Sequence, residues 1–405
     1  MPPSVRTLQS LGLACLALGV GSLAAQGGPS ARPDSTPPAA APAPAPAPPP
    51  ATPKFTGYAE GSYVYGNEAV GGMLLGRLYD RYSNAFELNH FELVADRPIT
   101  TTKLDAGVHA NFIVGQNATV LHSIGSGSEG GAFQPLGPDG DVTQLYVTLN
   151  VPTKNGNGVQ FKMGKMVTFM GVEVIEDEAN PVWSEGNQFI FVENFTATGL
   201  EVDYKTSNTF TFSARVDNGW DRIVDTAGHK DFMADLAFTP DTVGTSLSIV
   251  PYIGAQEDGS TATREGVDVV FSRRIKKLTL WLQGDYGEEG KNGALPDSTK
   301  NATWWGVGGW VTAPLSPTVT FAARADYTTD NEGARTAGTF GLVTVFAPGV
   351  TYSGLKLWSL TGDLNITTFP NVLVRPEVRF DHASYTVFNN KGSQVSGALS
   401  VAYQF

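Results

Sequence analysis

Residues 167–195 contain Glu173, Glu176, Asp177, Glu178, Glu185 and Glu193, with neither Lys nor Arg among them. Carboxylates are hard oxygen donors of the kind calcium or magnesium takes. The spacing is poor for a dedicated metal loop, because Glu176, Asp177 and Glu178 are adjacent and in a strand-like run point apart. No Asx/Gly loop spacing is present either, so diffuse counter-ions are expected rather than a metal site. The same stretch carries Trp183, Phe189 and Phe191, which makes it apolar as well as acidic.

Catalytic chemistry finds less support. The five histidines are His90, His109, His122, His229 and His382. Of these only His382 adjoins an acid, Asp381, and neighbours on a strand face opposite ways. No Gly-x-Ser-x-Gly elbow occurs. The one cysteine, Cys15, lies in the N-terminal apolar run, so no thiolate chemistry or disulfide is expected in the mature chain. We expect no enzyme and no cofactor. A net charge of -12 and a pI near 4.9 also argue against nucleic acid, whose phosphates call for basic stripes.

The elements that must carry these residues read as strands. Charged residues are 16%, aromatic residues 10% and glycines number 46 among 405 residues, while mean hydropathy is only -0.10. A helical membrane protein would be far more apolar. Half-wet strands give this balance. The apolar run from Leu8 to Leu23 follows Arg6 and ends in small residues, as a signal peptide over 1–24 would. A lipid on Cys15 is the alternative, against which Gly12 stands where that signal wants Leu. Residues 25–53 are Pro- and Ala-rich and cannot bury a core. They read as a disordered spacer or, alternatively, as a tether to the cell wall.

From Lys54 to Phe405 the chain divides into sixteen alternating segments separated by short and long gaps in turn, with both ends on the short-turn side; twelve to eighteen is the span of the reading. Residues 54–405 are therefore expected to form an all-β, antiparallel up-and-down transmembrane barrel. Phe210, Phe212, Ala214 and Val216 alternate with Thr211, Ser213, Arg215 and Asp217. Val319, Phe321, Ala323 and Ala325 alternate with Thr320, Ala322, Arg324 and Asp326, and Val372, Val374 and Val378 with Arg375, Glu377, Arg379 and Asp381. A charge facing hydrocarbon costs a few kcal/mol, so the charged sets are expected inside. Trp304, Trp305, Trp310, Tyr327, Tyr403 and Phe405 fall near strand ends, as an interfacial aromatic girdle would. Trp281 is expected inward, where it could touch a solute.

The stretch from Gly164-Lys165-Met166 to Trp220-Asp221 resembles the OmpL-like beta-barrel porin family of bacterial outer membranes. The matching residues are Gly164-Lys165, Gly171-Val172-Glu173, Asn180 to Ser184, Phe195-Thr196, Thr198-Gly199 and Val216 to Asp221; the likeness extends loosely from Phe55 to Phe405. The resemblance implies an outer-membrane channel for small hydrophilic solutes or ions, with lipid around it. It also implies an assembly signal for the barrel-assembly machinery in the closing strand, which ends at Phe405, and a homotrimer is considered. By analogy with general porins, 167–195, the third long connection, would fold inward as a constriction. Its acids Glu173, Glu176, Asp177, Glu178 and Glu185 would face the wall arginines Arg215, Arg324, Arg375 and Arg379, with Asp217, Asp326 and Glu377 also lining the pore. Two opposed charge rows would set up a transverse field that filters ions. The alternative is a structural or adhesive barrel with a filled lumen, whose mark would be Arg and acid neutralised in close pairs with bulky residues between.

Overall fold

The structure is a computed structural model that describes residues 52–125, 134–225, 228–240, 244–256, 261–291, 295, 299–337, 339–340, 343–346 and 351–405. The signal peptide and nearly all of the Pro/Ala spacer expected from sequence lie outside the described residues.

The period-two segments form a closed antiparallel barrel. Its strands are β1 Lys54–Gly66, β2 Ala85–Arg97, β3 Asp105–Val114, β4 Gly140–Val151, β5 Val159–Val167, β6 Thr196–Lys205, β7 Phe210–Asp217 and β8 Asp231–Phe238. They continue as β9 Thr245–Ala255, β10 Thr263–Ile275, β11 Leu278–Glu289, β12 Ala302–Pro314 and β13 Val319–Asp330. A two-residue hairpin, β14 Thr339–Phe340 and β15 Val343–Thr344, stands apart from the wall. β16 Leu355–Ile366, β17 Val372–Ala383 and β18 Ser393–Gln404 complete it. Every strand pairs with its chain neighbour in the wall, and β18 closes on β1. Leaving the small hairpin aside, the wall has the sixteen strands read from the sequence.

Closure matters because an open sheet edge cannot exist in hydrocarbon. The seam runs from Tyr58 opposite Gln404 to Gly66 opposite Ser396. Gly57 and Phe405 exchange backbone hydrogen bonds of 3.1 and 2.9 Å, and the Phe405 ring stacks on Phe91 at 6.1 Å. Outside, an apolar belt is exposed, including Leu145, Val147, Met163, Leu200, Leu282, Val378, Leu399 and Val401. Inside, Arg215, Arg324, Arg375, Arg379, Asp326 and Glu377 are buried. The alternation thus sorts as the cost of charge in lipid requires. Asp381 points inward to Arg77 and Arg379, whereas His382 lies half-buried against Trp358.

The girdle expectation needs correction. Trp305, Tyr403 and Phe405 are exposed on the outer face, but Trp304 and Trp310 are buried inside. Residues alternate faces along β12, so Trp304 and Trp305 cannot share the lipid side.

The core is made of connections. Leu78, Tyr79, Ile113, Val120, Leu121, Ile175, Phe189, Phe191, Phe195, Phe346 and Phe388 form one buried apolar cluster. These side chains come mainly from the long connections.

Candidate functional site

Residues 168–195 join β5 to β6 and carry only a 3-10 turn, Asp177–Ala179, and one short helix, Asn187–Phe191. An irregular buried segment must find partners for its backbone N–H and C=O groups outside itself. Here the inward wall side chains supply them. Acceptors on the wall take the N–H groups. Asp363 accepts from Trp183 N at 2.8 Å, Glu377 from Ser184 N at 3.0 Å and Asp326 from Asn187 N at 2.9 Å. Gln283 accepts from Val172 N at 3.0 Å.

The arginines take the carbonyls. Arg375 donates from Nη1 to Asp177 O at 2.7 Å and from Nη2 to Asn180 O at 2.8 Å. Arg379 donates to Glu185 O at 2.6 Å, Arg324 to Ser184 O, and Arg215 to Val167 O at 2.7 Å. Charge-assisted bonds of this kind are about twice as strong as neutral ones.

Side-chain pairs complete the fixation. Glu173 Oε1 accepts from Arg324 Nη1 at 2.6 Å and from Trp310 Nε1 at 3.1 Å, while its Oε2 accepts from Gly186 N at 2.6 Å. Arg375 pairs with Asp363 at 3.2 Å and Arg379 with Asp381 at 2.8 Å. Gly186 fits closely, since a Cβ there would meet the Asp326 carboxylate, which would have to shift off Asn187. Trp183 donates to Glu60 at 2.6 Å. Trp281 lies half-buried in the cluster of Val182, Trp310 and Ala322.

The structure does not place two charge rows across a gap. Arg324, Arg375 and Arg379 grip the segment directly, and Arg215 pairs with Glu201 at 2.6 Å rather than with an acid of 167–195. Asp217 accepts from Gly219 N at 2.8 Å, closing a local turn. Backbone satisfaction accounts for this contact: carbonyls buried without regular structure draw in the nearest strong donors. The strand-like reading of Glu176 to Glu178 is also corrected, because these residues enter a 3-10 turn. Asp177 accepts from Tyr58 OH at 2.7 Å and from Asn117 Nδ2 at 3.0 Å, and Glu176 from Asn111 Nδ2 at 3.0 Å. Among the described residues no group of three or more His, Cys, Asp or Glu is arranged to hold a metal ion.

Burial pushes several of these acids up. Glu176 rises from 4.5 to about 7, through burial and then the charge of Glu92. Glu178 rises from 4.5 to about 8, through burial and then Asp177. Glu185 is raised well above its ordinary value, first through burial and then through the charge of Asp177. Raised carboxyl pKa values mean that the folded state holds protons the released segment would lose. That contribution to packing is fully present below pH 4.5 and is lost as pH rises through about 7 for Glu176 and about 8 for Glu178. Hydrogen exchange of the backbone amides of 172–190, corrected for intrinsic rates, should therefore show stronger protection at pH 5 than at pH 9. Equal protection factors would contradict this.

Sequence reasoning missed other inward groups. Arg77, in the connection after β1, donates to Asp381 from Nε at 3.1 Å and Nη2 at 2.8 Å, and to Ser396 Oγ at 2.7 Å. It also pairs with Asp80, three residues on. The Arg77, Asp80, Arg81 spacing was the available signal. Tyr58, His90 and Glu92 form a second inward chain, with Tyr58 OH 3.0 Å from His90 Nδ1 and His90 Nε2 3.2 Å from Glu92.

A closed sixteen-strand antiparallel wall, apolar outside and charged inside, defines a porin-type barrel of the bacterial outer membrane. The chain belongs to the family described as Putative beta-barrel porin-2, OmpL-like, whose model matches residues 53–405. Solved structures share the fold. An anion-selective porin from Comamonas acidovorans aligns with a TM-score of 0.60 at 10% identity, over 87% of this chain and 99% of that one. OmpT of Vibrio cholerae in its trimer form aligns at 0.56 and 10% identity, over 87% and 99%. The outer membrane channel DcaP of Acinetobacter baumannii aligns at 0.54 and 12% identity, over 87% and 97%. No curated protein matches the sequence.

Proposed function

We propose that this porin lets small hydrophilic solutes or ions diffuse passively through the part of its lumen that residues 168–195 leave open, without catalysis and without a cofactor. One observation carries the reading. On the β5–β10 side, toward the short turns, inward polar residues stay partly exposed: Lys162, Asp203, Asp235, Ser246, Ser248 and Ser272. They pair among themselves, Lys162 with Asp203 at 2.7 Å and Ser246 with Ser272 at 2.7 Å, instead of gripping a connection. A wet, polar wall is what a diffusing solute needs. The segment 168–195, with Glu173, Glu176, Asp177, Glu178 and Glu185, narrows the other side.

The test is conductance of the purified barrel in planar bilayers, with reversal potential under a salt gradient. Ohmic channels of nanosiemens scale are expected, and a silent bilayer would sink the reading. Lys162→Gln, on this partly exposed wall beside Glu201 and Asp203, should shift selectivity toward cations. Unchanged selectivity would reject Lys162 as lining the path.

A second reading has its own support. Arg324 with Glu173, Arg375 with Asp363 and Arg379 with Asp381 are close buried pairs, with Trp183, Phe189 and Phe191 packed among the connections. That is the filling expected of a structural barrel, and the same bilayer recording decides between the two. We further propose residues 1–24 as a leader, Phe405 as part of the barrel-assembly signal, and a homotrimer. The mass of the detergent-solubilised protein tests the last.

A further inference from the structure

The chain carries a net charge of -12, yet the short-turn end of the barrel is basic. The seven short turns, taken with three strand residues on each side, hold eight Lys or Arg. Arg97, Lys103, Lys154 and Lys205 are spread over three turns, and Arg273, Arg274, Lys276 and Lys277 crowd one, the β10–β11 hairpin. The same stretches hold four acids, Asp96, Asp105, Asp203 and Asp241. Three of these have partners elsewhere: Asp96 lies 3.3 Å from His109, Asp105 3.2 Å from Arg97 and Asp203 2.7 Å from Lys162. No acid occurs between Asp268 and Asp285, so the hairpin stays positive even with Asp241 of the neighbouring turn counted against it. Arg273, Arg274, Lys276 and Lys277 are exposed, and among the described residues none of them is in an ion pair.

Position gives this charge its meaning. Arg273 stands opposite Leu280 in the β10–β11 ladder and opposite Thr245 toward β9. It shares the outer face with Phe271 and Ile275, and Ile275 stands opposite Leu278. Ile275, Leu278 and Leu282 are exposed on that face, so the apolar belt runs to the last residue of β10. An arginine on the lipid face, two residues from the edge of the belt, lays its stem on hydrocarbon and carries its guanidinium to the headgroups. Short turns of such barrels face the periplasm, so these are the headgroups of the inner leaflet. Lys and Arg clustered beside a membrane-spanning segment attract anionic lipid, each charge adding about fivefold in affinity.

We propose that the β10–β11 hairpin is a docking site for an anionic phospholipid of the inner leaflet. The phosphate sits among Arg273, Lys276 and Lys277, and an acyl chain lies along Phe271, Leu280 and Leu282. The site is on the outer wall, so it stands apart from any conduction through the lumen.

Native mass spectrometry of the full barrel released from detergent micelles tests the site, with phosphatidylglycerol titrated against phosphatidylcholine of the same chains. Phosphatidylglycerol should bind at least about tenfold more tightly, and this comparison needs no variant. Arg273→Gln with Lys277→Gln should weaken phosphatidylglycerol at least about tenfold, the scale of two lost charges. Lys291→Gln with Lys391→Gln, which takes the same charge from exposed positions at the long-connection end, should leave binding unchanged. Heat-modifiable migration on gels checks that each variant is folded. Equal binding of the two lipids, wild-type binding by the hairpin variant, or the same loss in the long-connection variant would overturn the proposal. So would tighter binding of a soluble peptidoglycan fragment, which would make the basic end a cell-wall contact. Glycerol phosphate bound as tightly as the lipid would overturn it too, by showing a site for soluble anions.

Discussion

Replacing residues 172–190 by a short Gly/Ser linker should raise single-channel conductance severalfold. These residues hold Trp183, Phe189 and Phe191, all buried inside a wall of sixteen strands. A wall of that size encloses an aqueous channel when nothing fills it. The barrel should survive the change, because its strands are held edge to edge by their own ladders and by the β1–β18 seam. Arg324, Arg375, Arg379, Asp326, Asp363 and Glu377 would pass from backbone partners to solvated pore charges, at small cost in water. Planar bilayer recording checks the result. Unchanged conductance would mean that the other inward connections, above all 67–84 with Arg77, close the lumen on their own.

Asp381→Ala is the substitution expected to cost most stability. Its carboxylate accepts from Arg77 Nη2 at 2.8 Å, Arg379 Nε at 2.8 Å and Gln394 Nε2 at 3.1 Å. Arg77 is 1% exposed and so is Arg379. Removing the shared acid takes the paired carboxylate from buried Arg379 and leaves Arg77 with Asp80, and breaking one side of a buried pair costs about 3–5 kcal/mol. Urea unfolding of the barrel in lipid vesicles should show a midpoint lowered accordingly, with the slope unchanged. Asp381→Asn should lose less, because its one amide oxygen can still accept from one of the two arginines, which bond to different carboxylate oxygens in the wild type. A wild-type midpoint for Asp381→Ala would show that Asp80 and Ser396 suffice for Arg77.

The two substitutions probe different parts of one arrangement. Arg375, Arg379 and Arg324 fasten the third long connection, and Arg77 fastens the first, to the same arc formed by β13, β16, β17 and β18. The opposite arc, from β5 to β10, keeps its polar side chains partly wet. Any conduction is therefore expected off-centre, along Lys162, Asp203 and Asp235.

Much of the wall was legible in the chain itself. A strand repeats every two residues, and lipid outside with water inside makes the two faces chemically opposite, so Val374–Arg375 and Val216–Asp217 each declare a direction without reference to anything distant. The closing strand and its partner followed, since closure brings the last strand beside the first and an even number makes that pair antiparallel. Strand ends came within a few residues for the same local reason. Nearness to a strand end suggests a girdle for Trp304 and Trp310, but their alternation with Trp305 puts both on the inner face.

The interior was not legible, because it depends on which distant groups meet. Nothing in the order of residues says that Asp363 will accept from Trp183 N, or that Arg375 will hold two carbonyls of 177–180. The acids and arginines announced themselves by type, and their type suggested a field across a gap. The tertiary structure instead turned them into partners for an irregular backbone, because a buried N–H or C=O without a partner costs more than a wall charge gains by standing free in water. Sequence by itself determined the barrel, its faces and its membrane. Only the fold decided what the charges inside it hold.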